Sequence, residues 1–136
     1  MKKILLDTNA YAAYLRGEES VLEALAEADG VFASVFVLGE LLAGFKAGSR
    51  EKRNRDILLQ FLQKSTVEVL PAGPETAEVF ALVKHALKKE GTPIPLNDVW
   101  IAAHALETGS ILISYDTHFA RVPGLRLWDR AAARGD

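Results

Sequence analysis

Along the chain, short runs of consecutive apolar residues alternate with longer stretches whose apolar positions recur every three or four residues. KILL (Lys3–Leu6), VFAS (31–34), VEVL (Val67–Leu70), ILIS (111–114) and LRLW (125–128) read as strands. Most are continuous rather than alternating, as expected when a parallel sheet is covered on both faces. Between them lie helical patterns with legible ends. Ser20 and Glu23 have the spacing of a capping box ahead of VLEALAEAD, and Gly30 is the expected stop. Ile57, Leu58, Phe61 and Leu62 form an apolar stripe on a helix whose N-terminal part is basic. Pro74 at a first turn, Glu75 and Glu78 near the start, Lys88 and Lys89 at the end and Gly91 beyond frame another. After Asp98, the run Val99, Trp100, Ile101, Ala102, Ala103, then Ala105 and Leu106, is apolar almost all the way round and predicts a core helix. GTPIPLN (91–97) is a loop between two helices. With no repeat, low-complexity tract or linker, the alternation predicts one α/β domain over residues 1–136, with a mostly parallel sheet of five strands.

Composition changes this picture little. The chain has 136 residues, 49% hydrophobic and 25% charged, enough to bury its own core. It contains no cysteine, which excludes disulfides, thiolate metal sites and cysteine nucleophiles. The apolar run in MKKILLDTN is too short for a signal-peptide core, and no later run reaches membrane-spanning length, so an intracellular, cytoplasmic protein with no membrane partner is expected. A net charge of −2 is not the overall basic footprint of a nucleic-acid binder. The distribution is uneven, however. KAGSREKRNR (46–55) sets Lys46, Arg50, Lys52, Arg53 and Arg55 against the single acid Glu51, and KHALKK (84–89) adds Lys84, Lys88 and Lys89. Either cluster alone reads as a solvated loop or helix end.

The positions of the acids carry more chemistry. Asp7 directly follows the first strand in LLDTN, and Asp116 comes just past the fourth in LISYD, so both fall at carboxyl ends of strands, where open α/β sheets build their sites. Glu40 lies in SVFVLGELLAG, among apolar neighbours in the helix after the second strand, and Asp98 opens the apolar helix leading to the fourth. Each has a plain explanation: a helix cap for Asp7, a dipole-favoured charge for Asp98, a turn residue for Asp116, an exposed helical position for Glu40. Together they suggest a site. Four carboxylates converging on one end of a sheet repel one another unless a cation neutralises them, and all-oxygen ligation suits Mg²⁺ or Mn²⁺. Cations held in this way clamp phosphate oxygens and activate water for phosphodiester cleavage. The chain has no Gly-rich phosphate loop and no nucleophile elbow. His85, His104 and His118 are too scattered for a zinc site, and His104 in the apolar helix reads as a hydrogen-bonded core or edge histidine.

LLDTN (5–9), S…GELLAG (34–44), NDVWIAAHAL (97–106) and LISYDTHFARVPGL (112–125), in this order and spread over nearly the whole chain, resemble the PIN-domain ribonucleases, and within them the VapC-type toxins of toxin–antitoxin pairs. The resemblance implies a three-layer α/β/α domain whose first and fourth strands lie side by side, and a metal-dependent endoribonuclease. It also implies an Mg²⁺ or Mn²⁺ site formed by Asp7, Glu40, Asp98 and Asp116. Ser114 would fill a small hydroxyl position where threonine is more usual, and Thr8 and Asn9 would orient the first acid or the substrate. RNA as substrate, a small cognate antitoxin and a homodimer are implied as partners, with Arg50, Lys52, Arg53, Arg55 and Lys84 as candidate contacts to RNA phosphates. A housekeeping RNA-processing nuclease of the same fold is the near alternative. From another class, a phosphate-accepting signalling domain also places acids at strand ends. That class wants paired acids after the first strand and a lysine after the last, whereas LLDTN has one acid and LRLWDR no such lysine.

Overall fold

The computed structural model describes residues 2–129. Strand β1 (Lys3–Leu6) leads into helices α1 (Thr8–Leu15) and α2 (Glu19–Glu27). Strand β2 (Gly30–Ser34) runs directly into α3 (Val35–Ala47), followed by α4 (Glu51–Leu62) and β3 (Val67–Leu70). Helices α5 (Pro74–Lys89) and α6 (Leu96–Thr108) then pack as a pair before β4 (Ile111–Ile113) and a 3-10 turn over Thr117–Arg121. The strands are all parallel and lie in the order β3-β2-β1-β4. The chain therefore builds outward from β1 on one side and then crosses back to lay β4 on the other. Such a reversal opens a crevice at the carboxyl ends of the strands between β1 and β4.

Burial explains why the runs of β1 and β4 are continuously apolar where the two strands pair. Ile4, Leu5, Leu112 and Ile113 are fully or almost fully buried, so successive side chains on both faces of the sheet are covered by helices. Helix α6 is equally enclosed, with Val99 and the whole run from Ile101 to Ala105 buried. The indole of Trp100 stacks on Phe80 of α5 at 3.7 Å between centroids and on Phe36 of α3 at 5.0 Å. On the α1–α4 side, Tyr11 and Phe61 meet edge-on at 5.3 Å. Among the described residues no helix is long and apolar enough to cross a membrane.

Three sequence expectations are corrected. The segment 125–128 is not a fifth strand: it meets β4 at one register position, Leu112 opposite Leu127, through hydrogen bonds from Leu112 N to Arg126 O (2.8 Å) and from Trp128 N to Leu112 O (3.0 Å). The described sheet has four strands. Gly124, at φ +76°, turns the chain immediately before this segment and brings it alongside β4 for that one position. Ser20 does not cap α2. Gly17, at φ +78°, makes a tight turn after α1 that leaves Glu18 at the cap position, without a side-chain cap bond, and puts Ser20 inside the first turn. Gly30 does not stop α2 either. The helix ends at Glu27, Ala28 is already extended, and Gly30 opens β2 opposite Lys3.

One polar group lies deep in this core. His104, 1% exposed, accepts from the Ser34 hydroxyl at Nδ1 (2.8 Å), and its Nε2–H donates to the Pro71 carbonyl (3.2 Å), which defines a neutral tautomer. Ser34 in turn caps α3 by accepting from Phe36 N at 3.1 Å. The network ties the ends of β2 and β3 to α6, the hydrogen-bonded core role expected for this histidine. Burial holds the His104 imidazole below its ordinary value of 6.5. The unfolded chain thus takes up a proton near 6.5 that the folded protein refuses, and this contribution to stability is present above that pH and lost as pH falls through it. His104→Leu should melt lower than wild type at pH 7.5, by about 2 kcal/mol for the two partners left unsatisfied. Thermal melts from pH 7.5 to 5.5 should show the gap narrowing, because only the wild type carries the titrating group.

Candidate active site

The crevice between β1 and β4 is built by continuing their ladder one step past the strands. Leu6 is in register with Ile113, and Asp7 N donates to Ile113 O at 3.2 Å. Asp7 then turns the chain into α1 as its N-cap, with Oδ1 accepting from Ala10 N at 2.8 Å. Its other oxygen, Oδ2, accepts from the Ser114 hydroxyl at 2.5 Å, across 107 residues of sequence. Ser114 Oγ also accepts from Asp116 N at 3.0 Å, so one hydroxyl holds the first acid and the backbone of the last. Asp7 is the most enclosed of the four acids, 4% exposed.

The other acids arrive from separate helices. Glu40 is exposed on α3, and its Oε1 accepts from the Thr8 hydroxyl at 2.6 Å, so Thr8 positions Glu40 rather than Asp7. Asp98 lies in the first turn of α6 but makes no side-chain cap bond. Its Oδ2 accepts instead from Nε2 of His118 at 2.8 Å. Asp116, exposed, stands at the head of the 3-10 turn, with Oδ1 3.9 Å from His118 Nδ1. Asp98, Asp116 and His118 each offer a ligand atom within 4.8 Å of the others'. Sequence reasoning passed over His118. The available signal was its place in YDTHF, two residues beyond a candidate acid.

Electrostatics join the four acids. Burial pushes the Asp7 carboxyl above its ordinary value, the bonds from Ser114 and Ala10 oppose this, and the charges of Asp116 and Asp98 add to the rise. Burial also raises Asp98, with His118 opposing and the charges of Glu40 and Asp116 adding. Asp116 is thus felt at both Asp7 and Asp98, Asp98 at Asp7, and Glu40 at Asp98. Among the described residues none of the four forms an ion pair with lysine or arginine. The result is a mainly oxygen donor set with uncompensated negative charge, which fits a hard divalent cation.

The remaining sequence candidates make no side-chain bond to the four acids among the described residues. Asn9 is exposed in the first turn of α1 and makes no hydrogen bond to the acids. In the basic segment, Lys52 pairs with Asp56 at 2.9 Å and Arg55 with Glu51 at 4.0 Å, so part of the charge is neutralised locally. Arg50 and Arg53 are exposed and make no ion pair among the described residues. Lys84 is exposed on α5 beside a shallow hollow lined by Leu87, Lys88, Pro93, Ile94 and Val99.

A parallel sheet with its strand order reversed at β1/β4 and four acids at that reversal define a class, and residues 4–125 match the PIN domain family. The chain belongs to that family. Within it, the chain is 34% identical over 129 residues to ribonuclease VapC2 of Haemophilus influenzae, with 93% of this chain and 96% of that protein aligned. Two solved structures are similar throughout. DNA-bound VapBC from Salmonella typhimurium has TM-score 0.84 at 28% identity, covering 96% of this chain and 99% of that one. VapBC2 from Rickettsia felis, bound to a promoter DNA fragment, has TM-score 0.81 at 28% identity, covering 93% and 97%.

The crowding of the acids leads to a stability prediction. In chelator, the folded protein binds a proton at Asp98 more tightly than the unfolded chain does. The penalty is fully present above the raised folded value and fades as pH falls through the carboxylate range. Asp98→Asn removes the charge and keeps an acceptor for His118. The metal-free variant should therefore melt higher than metal-free wild type at pH 7.5, by about 1 kcal/mol, as when a strained functional site is relaxed. Millimolar Mg²⁺ should narrow or reverse the difference. A variant melting well below wild type in chelator would make Asp98 a structural residue.

Proposed function

We propose that the chain is an Mg²⁺- or Mn²⁺-dependent endoribonuclease acting as the toxin of a toxin–antitoxin pair, with Asp7, Glu40, Asp98 and Asp116 holding the cation. The observation that supports this reading is the gathering of acids at the β1/β4 reversal, Asp7 nearly buried and bonded to Ser114, with the charges of Asp98 and Asp116 felt at Asp7 and those of Glu40 and Asp116 at Asp98. The bound cation would supply charge for phosphate oxygens and activation of the attacking water. The chain's own contribution is placement. Ser114 and the α1 amide fix the Asp7 carboxylate, and Thr8 holds Glu40 toward the same crevice. The enclosing helices limit water around Asp7 and Asp98, which strengthens every charge interaction there.

Three partners follow. RNA is the substrate, and Arg50, Lys52, Arg53, Arg55 and Lys84 are candidate phosphate contacts, with Arg50 and Arg53 the least neutralised of those on or beside α4. A small antitoxin would cover the crevice and present a cation to the acids. Arginine suits this role, because its planar fork can bridge two carboxylates. The VapBC complexes among the solved relatives support such a partner. A homodimer is the third, by family resemblance.

Cleavage of RNA should require Mg²⁺ or Mn²⁺ and stop in excess chelator. Single substitutions Asp7→Asn, Glu40→Gln, Asp98→Asn and Asp116→Asn should each cost orders of magnitude in rate, with circular dichroism unchanged. Cleavage that persists in chelator overturns the metal reading, and wild-type turnover in Glu40→Gln removes that residue from the site. Neutralising Arg50 and Arg53 together should weaken RNA binding and reduce the slope of log affinity against log salt by about 2. A titration across salt concentrations measures it, and an unchanged slope returns these residues to the solvated surface.

A further inference from the structure

His118 is the one basic side chain bonded to any of the four acids among the described residues, and its place is firmly built. The 3-10 turn that carries it is anchored by Phe119, fully buried, and by Val122 just beyond. Arg121 Nη1 donates to the Pro93 carbonyl at 3.0 Å, which ties the turn to the loop entering α6. The imidazole packs on Phe119 at 4.8 Å between centroids, and its side chain is 20% exposed, Asp98's 18%. Both ends of the bond to Asp98 are therefore held by rigid elements.

We infer that His118 is a positioning residue of the cation site, orienting the Asp98 carboxylate through its Nε2–H. The inference rests on the metal-dependent reading above. Three observations carry it. The contact to Asp98 Oδ2, at 2.8 Å, has hydrogen-bond length, whereas Nδ1 is too far from Asp116, at 3.9 Å, to bond it. Asp98 Oδ1 has no protein donor among the described residues, so one oxygen is tethered and the other is left for a ligand. The bond also repeats a pattern in this site: Ser114 donates to Asp7, Thr8 to Glu40 and His118 to Asp98, so three of the four acids meet a donor from a different part of the chain. Donors of this kind fix a ligating carboxylate and commonly change metal affinity by about 10- to 100-fold when removed. A hard cation also prefers the oxygens to the imidazole.

The test compares Mn²⁺ binding, by calorimetry and by electron paramagnetic resonance, in wild type, His118→Leu and His118→Gln. Leucine fills the space without a donor, and glutamine places an amide N–H near the position of Nε2. His118→Leu should bind Mn²⁺ roughly 10- to 100-fold more weakly, and His118→Gln should recover most of the loss. Equal affinities in all three proteins, or equal losses in both variants, overturn the inference. Spin-echo modulation of Mn²⁺ bound to the wild type needs no variant. A directly bonded histidine nitrogen there would make His118 a ligand and overturn the positioning role, while its absence supports it. Wild type that binds no Mn²⁺ overturns the metal-dependent reading itself, and this inference with it. Melting in chelator, free of metal, shows whether either variant is folded.

Discussion

The parallel pairing of β1 with β4 is the contact on which the rest of the site depends. It brings residue 7 beside residue 113 and lets a serine hydroxyl reach a nearly buried carboxylate. A slip of one residue would turn Asp7 to the opposite face of the sheet and separate it from Ser114. Slippage is resisted because Ile4, Leu5, Leu112 and Ile113 are buried on alternating faces, so any shift exposes or crowds apolar side chains along the whole ladder. The hydrophobic effect, which distinguishes no chemistry, thereby fixes a chemical geometry to within hydrogen-bond tolerance.

Around that contact the chain supplies uncharged or imidazole donors rather than lysine or arginine. Ser114, Thr8, the Ala10 amide and His118 orient carboxylates without cancelling most of their charge. A salt-bridged cluster would be more comfortable in isolation but would have no remaining attraction for a cation. The same reserve of negative charge suits both a divalent ion and a cationic side chain from a partner protein.

Much of the fold was legible in the sequence: β1 and β3 begin and end where their runs do, and in β1 the run is continuously apolar after Lys3 because Ile4, Leu5 and Leu6 are all buried, whereas β3 keeps the polar Glu68 where Glu68 and Val69 are exposed. The ends of elements were less legible where local signals compete. Ser20 resembles a cap, yet the turn at Gly17 determines where α2 begins, and Gly30 resembles a stop, yet Asp29 N already bonds Lys2 O at 2.7 Å and leads it into β2. LRLW has the composition of a strand but meets β4 at a single position. The four acids could be picked out because Asp7, Asp98 and Asp116 sit next to apolar runs at strand or helix ends and Glu40 interrupts the apolar run of α3. His118 offered only its place two residues beyond Asp116, since its partner Asp98 is 20 residues away on α6, with β4 between them. The choice of Glu40 as Thr8's acceptor was hidden in the same way, by a contact across 32 residues.

The central strand has a further consequence for the order in which the protein is made. β1 leaves a ribosome long before its partner on one side, β4, so one edge of β1 waits through the synthesis of everything between them with its hydrogen-bonding groups unpaired. Closing so long a loop is entropically expensive, and the contact pays back only when both ends are present. No N-terminal fragment that stops short of β4 can assemble the acid cluster, whatever helices it has formed. The acid cluster is thus a property of the joined ladder rather than of either strand, and it exists only once β4 has docked beside β1.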